Sequence, residues 1–148
     1  MSPHMNAFYF DEKNNAIYAS YRNMDRIIKI DYPSGKVVRS YGEVYKKGAP
    51  IKGNGMFCNQ HSIRRSKDGY LYFFNNNYCY GLSKMPALML MREPEKDTNV
   101  LEPVWEYGCT ADGYKRGFYS GGIATELADG FIFHLSWLRL CKAADSEP

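Results

Sequence analysis

Long apolar runs are missing from this sequence, and no stretch reaches the ~20 residues that a membrane-spanning helix needs. An excess of one charge is missing too. The formal net charge is +3, and basic residues occur singly or in pairs such as Arg64-Arg65 and Lys46-Lys47. A nucleic-acid partner would need more of them on one face, and none is expected. There is no Cys-x-x-Cys pair. Cys58, Cys79, Cys109 and Cys141 are widely and irregularly spaced, which argues against a zinc site. They read as four buried thiols or, in an exported protein, as one or two disulfides. The start, Met1-Ser2-Pro3-His4-Met5, lacks the apolar region of a signal peptide, and the compartment stays open. No Gly-x-Ser-x-Gly nucleophile elbow occurs, and Gly53-Asn54-Gly55 lacks the Lys-Ser/Thr of a phosphate-binding loop. Carboxylates do not cluster in a glycosidase or metal-ligand pattern. Neither a metal nor a cofactor is expected. Amphipathic helices are absent as well, with one turn at most over Glu93 to Asp97.

What the sequence does have is aromatic residues in quantity. Aromatics make up 16%, with 13 Tyr and 8 Phe, inside a chain that is 45% hydrophobic and 24% charged. Such a composition is globular, and its rings favour the pleated, half-buried surface of strands. The strands recur as a repeat. Ala16 to Tyr21, Arg26 to Ile30 and Lys36 to Gly42 have the rhythm of Tyr70 to Phe74, Ala87 to Met91 and Pro103 to Gly108. A third unit begins with Ile123 to Leu127 and Phe131 to Leu135.

Each full unit reads as four short antiparallel strands. The first of each is Ala7 to Phe10, Ser62 to Arg65 and Ile123 to Leu127, and each runs into a tight turn. Asp68-Gly69 and Asp129-Gly130 are strong hairpin signals, and Asn14-Asn15 is a weaker one. Corresponding strands lie roughly 55 to 60 residues apart, against the ~40–50 of an ordinary propeller blade. The surplus sits in two long connections, Glu43 to Asn59 and Cys109 to Tyr119. The fold class expected is therefore all-β: a partial β-propeller of about two and a half four-stranded antiparallel blades, filling residues 1–148 as one domain. The blade units span about residues 4–43, 60–108 and 120–140. A ring needs more blades than this. The chain reads as part of a larger protein or as a self-assembling repeat, with self-association through open blade edges.

Three histidines occur in all, and two share a register. His4 precedes the innermost strand of unit one and His61 that of unit two; His134 sits on the second strand of unit three. In a propeller the innermost strands start at the mouth of the central channel, where side chains of neighbouring blades converge. Two imidazoles with Arg22 nearby could bind an anion and transfer it. Neutral imidazole is a nucleophile near pH 7, a second histidine serves as acid or base, and a guanidinium offers planar donors to sulfate or phosphate oxygens. The alternative is that these histidines are ordinary hydrogen-bonded residues of strand ends. A metal held by the histidines is a third reading, for which no carboxylate ligands can be placed.

The motifs resemble a known family, the arylsulfotransferases (aryl sulfate sulfotransferases), which are six-bladed propellers. His4-Met5-Asn6 followed by Asp11-Glu12 is similar to the family's His-x-Asn segment and Asp-Glu turn. Ser20-Tyr21-Arg22 followed by Ile30-Asp31 resembles its Ser-x-Arg strand and Ile-Asp strand. Gln60-His61-Ser62 with Asp68-Gly69 resembles its Gln-His blade opening, and Val104-Trp105-Glu106-Tyr107 its outer Val-Trp strand. The likeness spans roughly residues 4 to 137. It implies sulfuryl transfer from an aryl sulfate to a phenol through a histidine, without a nucleotide sulfate donor. His61, His4 and Arg22 are the matched catalytic residues, with the nucleophile unassigned. Asn6, Gln60 and His134 are implied on the substrate-binding side. Family members are often exported. The family follows its Gln-His blade with Phe-Asp-Asn-Gly and an Arg, whereas Phe74-Asn75-Asn76-Asn77 stands here with no Arg after it. That departure keeps a second reading in play, a non-catalytic propeller that binds a protein or small ligand.

Overall fold

The computed structural model describes residues 2–42, 44–46, 49–51, 57–79, 82–83, 85–95, 98–109, 121–128, 130, 132–135 and 140–142. The chain is all-β, and among the described residues helix is confined to two short 3-10 turns, Glu12–Asn14 and Arg22–Met24. Strands β1 (Met5–Asp11), β2 (Ala16–Tyr21), β3 (Arg26–Asp31) and β4 (Val37–Gly42) form the first four-stranded antiparallel sheet, ordered as in the sequence. After the hairpin β5 (Val44–Lys46) and β6 (Ala49–Ile51), the second sheet begins with β7 (His61–Arg65) and β8 (Leu71–Asn75). A small hairpin, β9 (Tyr78–Cys79) and β10 (Leu82–Ser83), precedes β11 (Ala87–Arg92) and β12 (Glu102–Gly108), which complete that sheet in the order β7-β8-β11-β12. A third sheet holds β13 (Ile123–Glu126), β14 (Ile132–Leu135) and β15 (Leu140–Lys142).

The strand assignments read from the repeat hold through the first two units. The long connection at residues 43–59 carries a hairpin where a loop was expected, and the third unit has a third strand where only two were expected. Both additions are strands of three residues, too short for alternation to register in sequence. Glu93 and Pro94 carry no helical turn. The two Asp-Gly turns behave as read, with Gly69 and Gly130 both at φ 88. Of the two readings of the cysteines, four buried thiols or one or two disulfides, the second holds for Cys58, which is disulfide-bonded, while Cys109 is a buried thiol outside any disulfide. Wide spacing along a chain of strands says nothing about closeness across sheets.

The second sheet is packed on both faces. Every residue of β8 is buried. Leu71, Phe73, Met89 and Met91 turn one way, and they meet Tyr18, Ile27 and Tyr41 of the first sheet in the main core. Phe57 closes this core edge-on against Phe73, with ring centroids 5.0 Å apart. Tyr72 and Leu88 turn the other way and pack with Ala124 of β13. At ~1.5–3 kcal/mol for each large apolar side chain buried, these two cores are the main drive to fold. The opposite face of the first sheet is open, with Phe8 and Phe10 exposed.

One polar cluster crosses the main core between the first two sheets. The Glu93 carboxylate, just after β11, accepts hydrogen bonds from Tyr18 Oη (2.8 Å), Tyr41 Oη (2.6 Å) and Lys29 Nζ (3.0 Å), and from Arg65 Nη2. Arg65 Nε lies 2.6 Å from Asp11 Oδ2, so a single guanidinium joins two carboxylates from different sheets. Burial alone would raise Glu93. The donors led by Tyr41, Arg65 and Lys29 outweigh it and hold the carboxyl at about 2. The two phenols move up, by burial first and then by the neighbouring carboxylate.

A folded-state pKa depressed from 4.5 to about 2 contributes stability that is fully present above about pH 4.5 and is lost as pH falls toward 2. Glu93→Gln is therefore expected to cost on the order of 3 kcal/mol at pH 7, by urea denaturation, and clearly less near pH 3. An equal loss at both pH values would show that the charge on Glu93 carries none of this stability.

Candidate active site

The three residues matched as catalytic converge on the start of β7. The Arg22 N–H donates to the His4 carbonyl at 3.0 Å, and Asn23 Nδ2 donates to the Ser2 carbonyl at 3.0 Å. The turn Arg22–Met24 thus holds the segment that carries His4. The same turn ends at Asp25, a left-handed residue (φ 50) whose Oδ1 accepts the Asn59 N–H at 2.6 Å. One short turn therefore links the His4 segment to the His61 segment. His61 feels both neighbours: burial first, then the charges of Arg22 and His4, lower its imidazole to about 4. It is neutral at physiological pH, and its Nε2 is buried with no hydrogen-bond partner among the described residues.

The backbone around His61 is tightly held. Asn59 (φ 53) and Ser62 (φ 58), on either side of Gln60-His61, are both left-handed non-glycine residues. Such positions persist only where their surroundings fix them. Ser62 Oγ donates to the Ala124 carbonyl at 3.2 Å and accepts the Ala124 N–H at 3.1 Å, which ties β7 to β13. Asn76 Nδ2 donates to the Asn59 carbonyl at 2.5 Å. His61 itself pairs with Phe74 on β8. Gly122 lies so close to the Phe74 ring that a Cβ there would overlap it. The start of β7 is thus the place where all three sheets meet.

The strands at the two histidines, β1 and β7, are both irregular at their starts. The β1 register shifts between Met5 and Ala7, and the β7 register shifts between His61 and Arg64. Bulges re-aim side chains and are frequent beside active sites. At the first one, Asn6 turns its Nδ2 onto the Gln60 carbonyl at 2.7 Å. Gln60 is fully buried, and its Nε2 donates to the Arg26 carbonyl (2.9 Å), Ser20 Oγ (3.1 Å) and the Tyr21 carbonyl (3.3 Å). His134 lies on β14 opposite Ala124, the residue held by Ser62; its side chain is outside the described residues. No group of three or more His, Cys, Asp or Glu lies together as a metal site among the described residues.

The Asn75-Asn76-Asn77 run has a backbone task. Asn75 Oδ1 accepts the N–H groups of Cys58 and Asn77, each at 3.0 Å, and Asn75 Nδ2 donates to Asn77 Oδ1 at 2.7 Å. Asn77 is left-handed (φ 54) and donates to the Met85 carbonyl at 2.6 Å. An Asp could accept both N–H groups, and Gly is the residue best suited to the third position. The departure from Asp-Asn-Gly therefore keeps the geometry of that turn. Sequence reasoning missed Asp25, Asn59, Ser62 and Asn76. Their only signal was a concentration of Asn around Gln60-His61, typical of left-handed and turn positions.

The family model described as arylsulfotransferase (ASST) matches residues 3–124. The chain belongs to the arylsulfotransferase family. The match takes in His4, Arg22 and His61, together with both four-stranded sheets of this family member. No curated protein and no solved structure matches the chain.

The role given to Asn77 can be checked by comparing two variants. Asn77→Ala and Asn77→Gly lose the same side-chain bonds, but only Ala strains the left-handed position. Asn77→Ala is expected to be less stable than Asn77→Gly by about 1 kcal/mol in urea unfolding. Equal stabilities would mean that Asn77 is not there for its conformation.

Proposed function

We propose that this chain carries out sulfuryl transfer from an aryl sulfate ester to a phenol on the histidine pair at the start of β7. In this reading the three sheets are successive blades of a six-bladed propeller. That arrangement is supported by the inner strands, since β1 and β13 both lie against β7, and by strand orders that follow the chain in each sheet. The observation that carries the functional reading is the convergence of His4, Arg22 and His61 in a chain of this family.

The chemistry suits these groups. An imidazole nitrogen of the pair attacks sulfur, the bond from sulfur to the aryl oxygen breaks, and its electron pair leaves on the phenoxide. The second imidazole returns a proton to that oxygen. The acceptor phenol then gives its proton to that second imidazole and attacks the same sulfur, and the sulfur–nitrogen bond breaks to restore the imidazole lone pair. His61 enters this cycle unprotonated at neutral pH. Arg22 brings positive charge to the sulfate oxygens, where charge stabilisation in a partly buried site is worth most.

Incubation with 4-nitrophenyl sulfate and a phenol acceptor tests this directly. Nitrophenolate release is expected to depend on the acceptor and to fall at least about 100-fold in His61→Ala and in His4→Ala. Digestion and mass spectrometry of protein quenched without acceptor would locate the sulfuryl group on one of the two histidines. Release that is unchanged in both variants would sink the proposal, and folded protein without release would favour a binding role.

A further inference from the structure

We propose that Gln60 is the positioning residue of the site, fixing the His61 imidazole by locking the start of β7 onto the backbone of the first sheet. This deepens the reading above, in which His61 is one of the transferring pair. Gln60 directly precedes His61, and it is fully buried. Its Nε2 is surrounded by two backbone carbonyls, of Tyr21 and Arg26, and by Ser20 Oγ. Carbonyls only accept, so the amide nitrogen must point this way, and an acceptor in its place would face two like partners. The Gln60 carbonyl is held in turn by Asn6 Nδ2 at 2.7 Å and by Ser20 Oγ at 3.5 Å.

The residue before His61 is therefore bound through both its side chain and its main chain to β1, β2 and β3. The residue after it, Ser62, is bound to β13. Between these two anchors the imidazole has little freedom, and its Nε2 has no hydrogen-bond partner among the described residues. The groups that act on it, Arg22 and His4, both hang on the first sheet and its leading segment. Gln60 thus fixes the distance between His61 and these two neighbours as well as its shelter from water. Tightly held constellations of this kind are what transfer chemistry needs.

The test is a nuclear magnetic resonance titration of the His61 imidazole, assigned through His61→Ala, in wild type, Gln60→Met and Gln60→Glu. Circular dichroism and melting temperature control for folding. Met keeps the volume and loses the donors, while Glu keeps the shape and offers only acceptors when ionised. In both, His61 is expected to titrate at least ~1 unit above its wild-type value of about 4, toward the ordinary 6.5. The transfer rate is expected to fall about 10-fold or more with KM little changed. If neither variant folds, Ser20→Ala removes one partner and leaves both carbonyls, and a smaller shift in the same direction is expected. A folded variant with an unchanged His61 titration would overturn the proposal, whether or not the protein transfers sulfuryl groups. A shifted titration in a protein that shows no transfer would uphold the positioning role and remove the reading it was built on.

Discussion

A carboxylate enclosed between two sheets must find donors or give up its charge. Glu93 finds four, from Tyr18, Tyr41, Lys29 and Arg65, and three of these lie on the first sheet while the carboxylate follows the second. Arg65 is the last residue of β7, and it also reaches Asp11 at the end of β1. One end of β7 is therefore pinned by charge. The other end is pinned by hydrogen bonds through Asn59, Gln60 and Ser62. A strand of five residues, fixed at both ends, gives His61 its place.

The two ends also treat ionisation in opposite ways. Both Glu93 and His61 have depressed pKa values, but the causes differ. Donors converge on Glu93 and overcome its burial, so it stays charged. Burial, with Arg22 and His4 beside it, keeps His61 neutral. A buried ionised network with this many donors is a structural device. A buried imidazole whose Nε2 has no hydrogen-bond partner among the described residues is a different environment on the same strand.

Much of this was legible in the sequence. The strands at Ala16 to Tyr21 and Tyr70 to Phe74 and the turn at Asp68-Gly69 depend on local pattern, which sequence preserves. The short strands β5, β6 and β15 escaped because three residues carry too little alternation. The Glu93 cluster escaped for a different reason. Tyr18, Lys29, Tyr41, Arg65 and Glu93 are scattered over four strands and one connection, and only the packing of sheets brings them together. Gln60 was noticed beside His61, but its partners Tyr21 and Arg26 offer backbone carbonyls, which have no signature in side-chain identity. Cys58 could be read as a buried thiol or as half of a disulfide, because sheet-to-sheet distances cannot be read from spacing.

The second sheet serves as a wall for two cores at once, with Phe73 and Met89 on one side and Tyr72 and Leu88 on the other. Neither core can open while the other keeps its packing, because each would have to give up the same strands. The central strands β8 and β11 should therefore belong to a single cooperative unit, whose amides exchange with solvent only through the largest opening of the chain. The start of the outer strand β4, with the exposed Val37 and Val38, lies outside that unit, so its amides should exchange early. The site at the start of β7 draws its rigidity from the slow-exchanging part of the molecule.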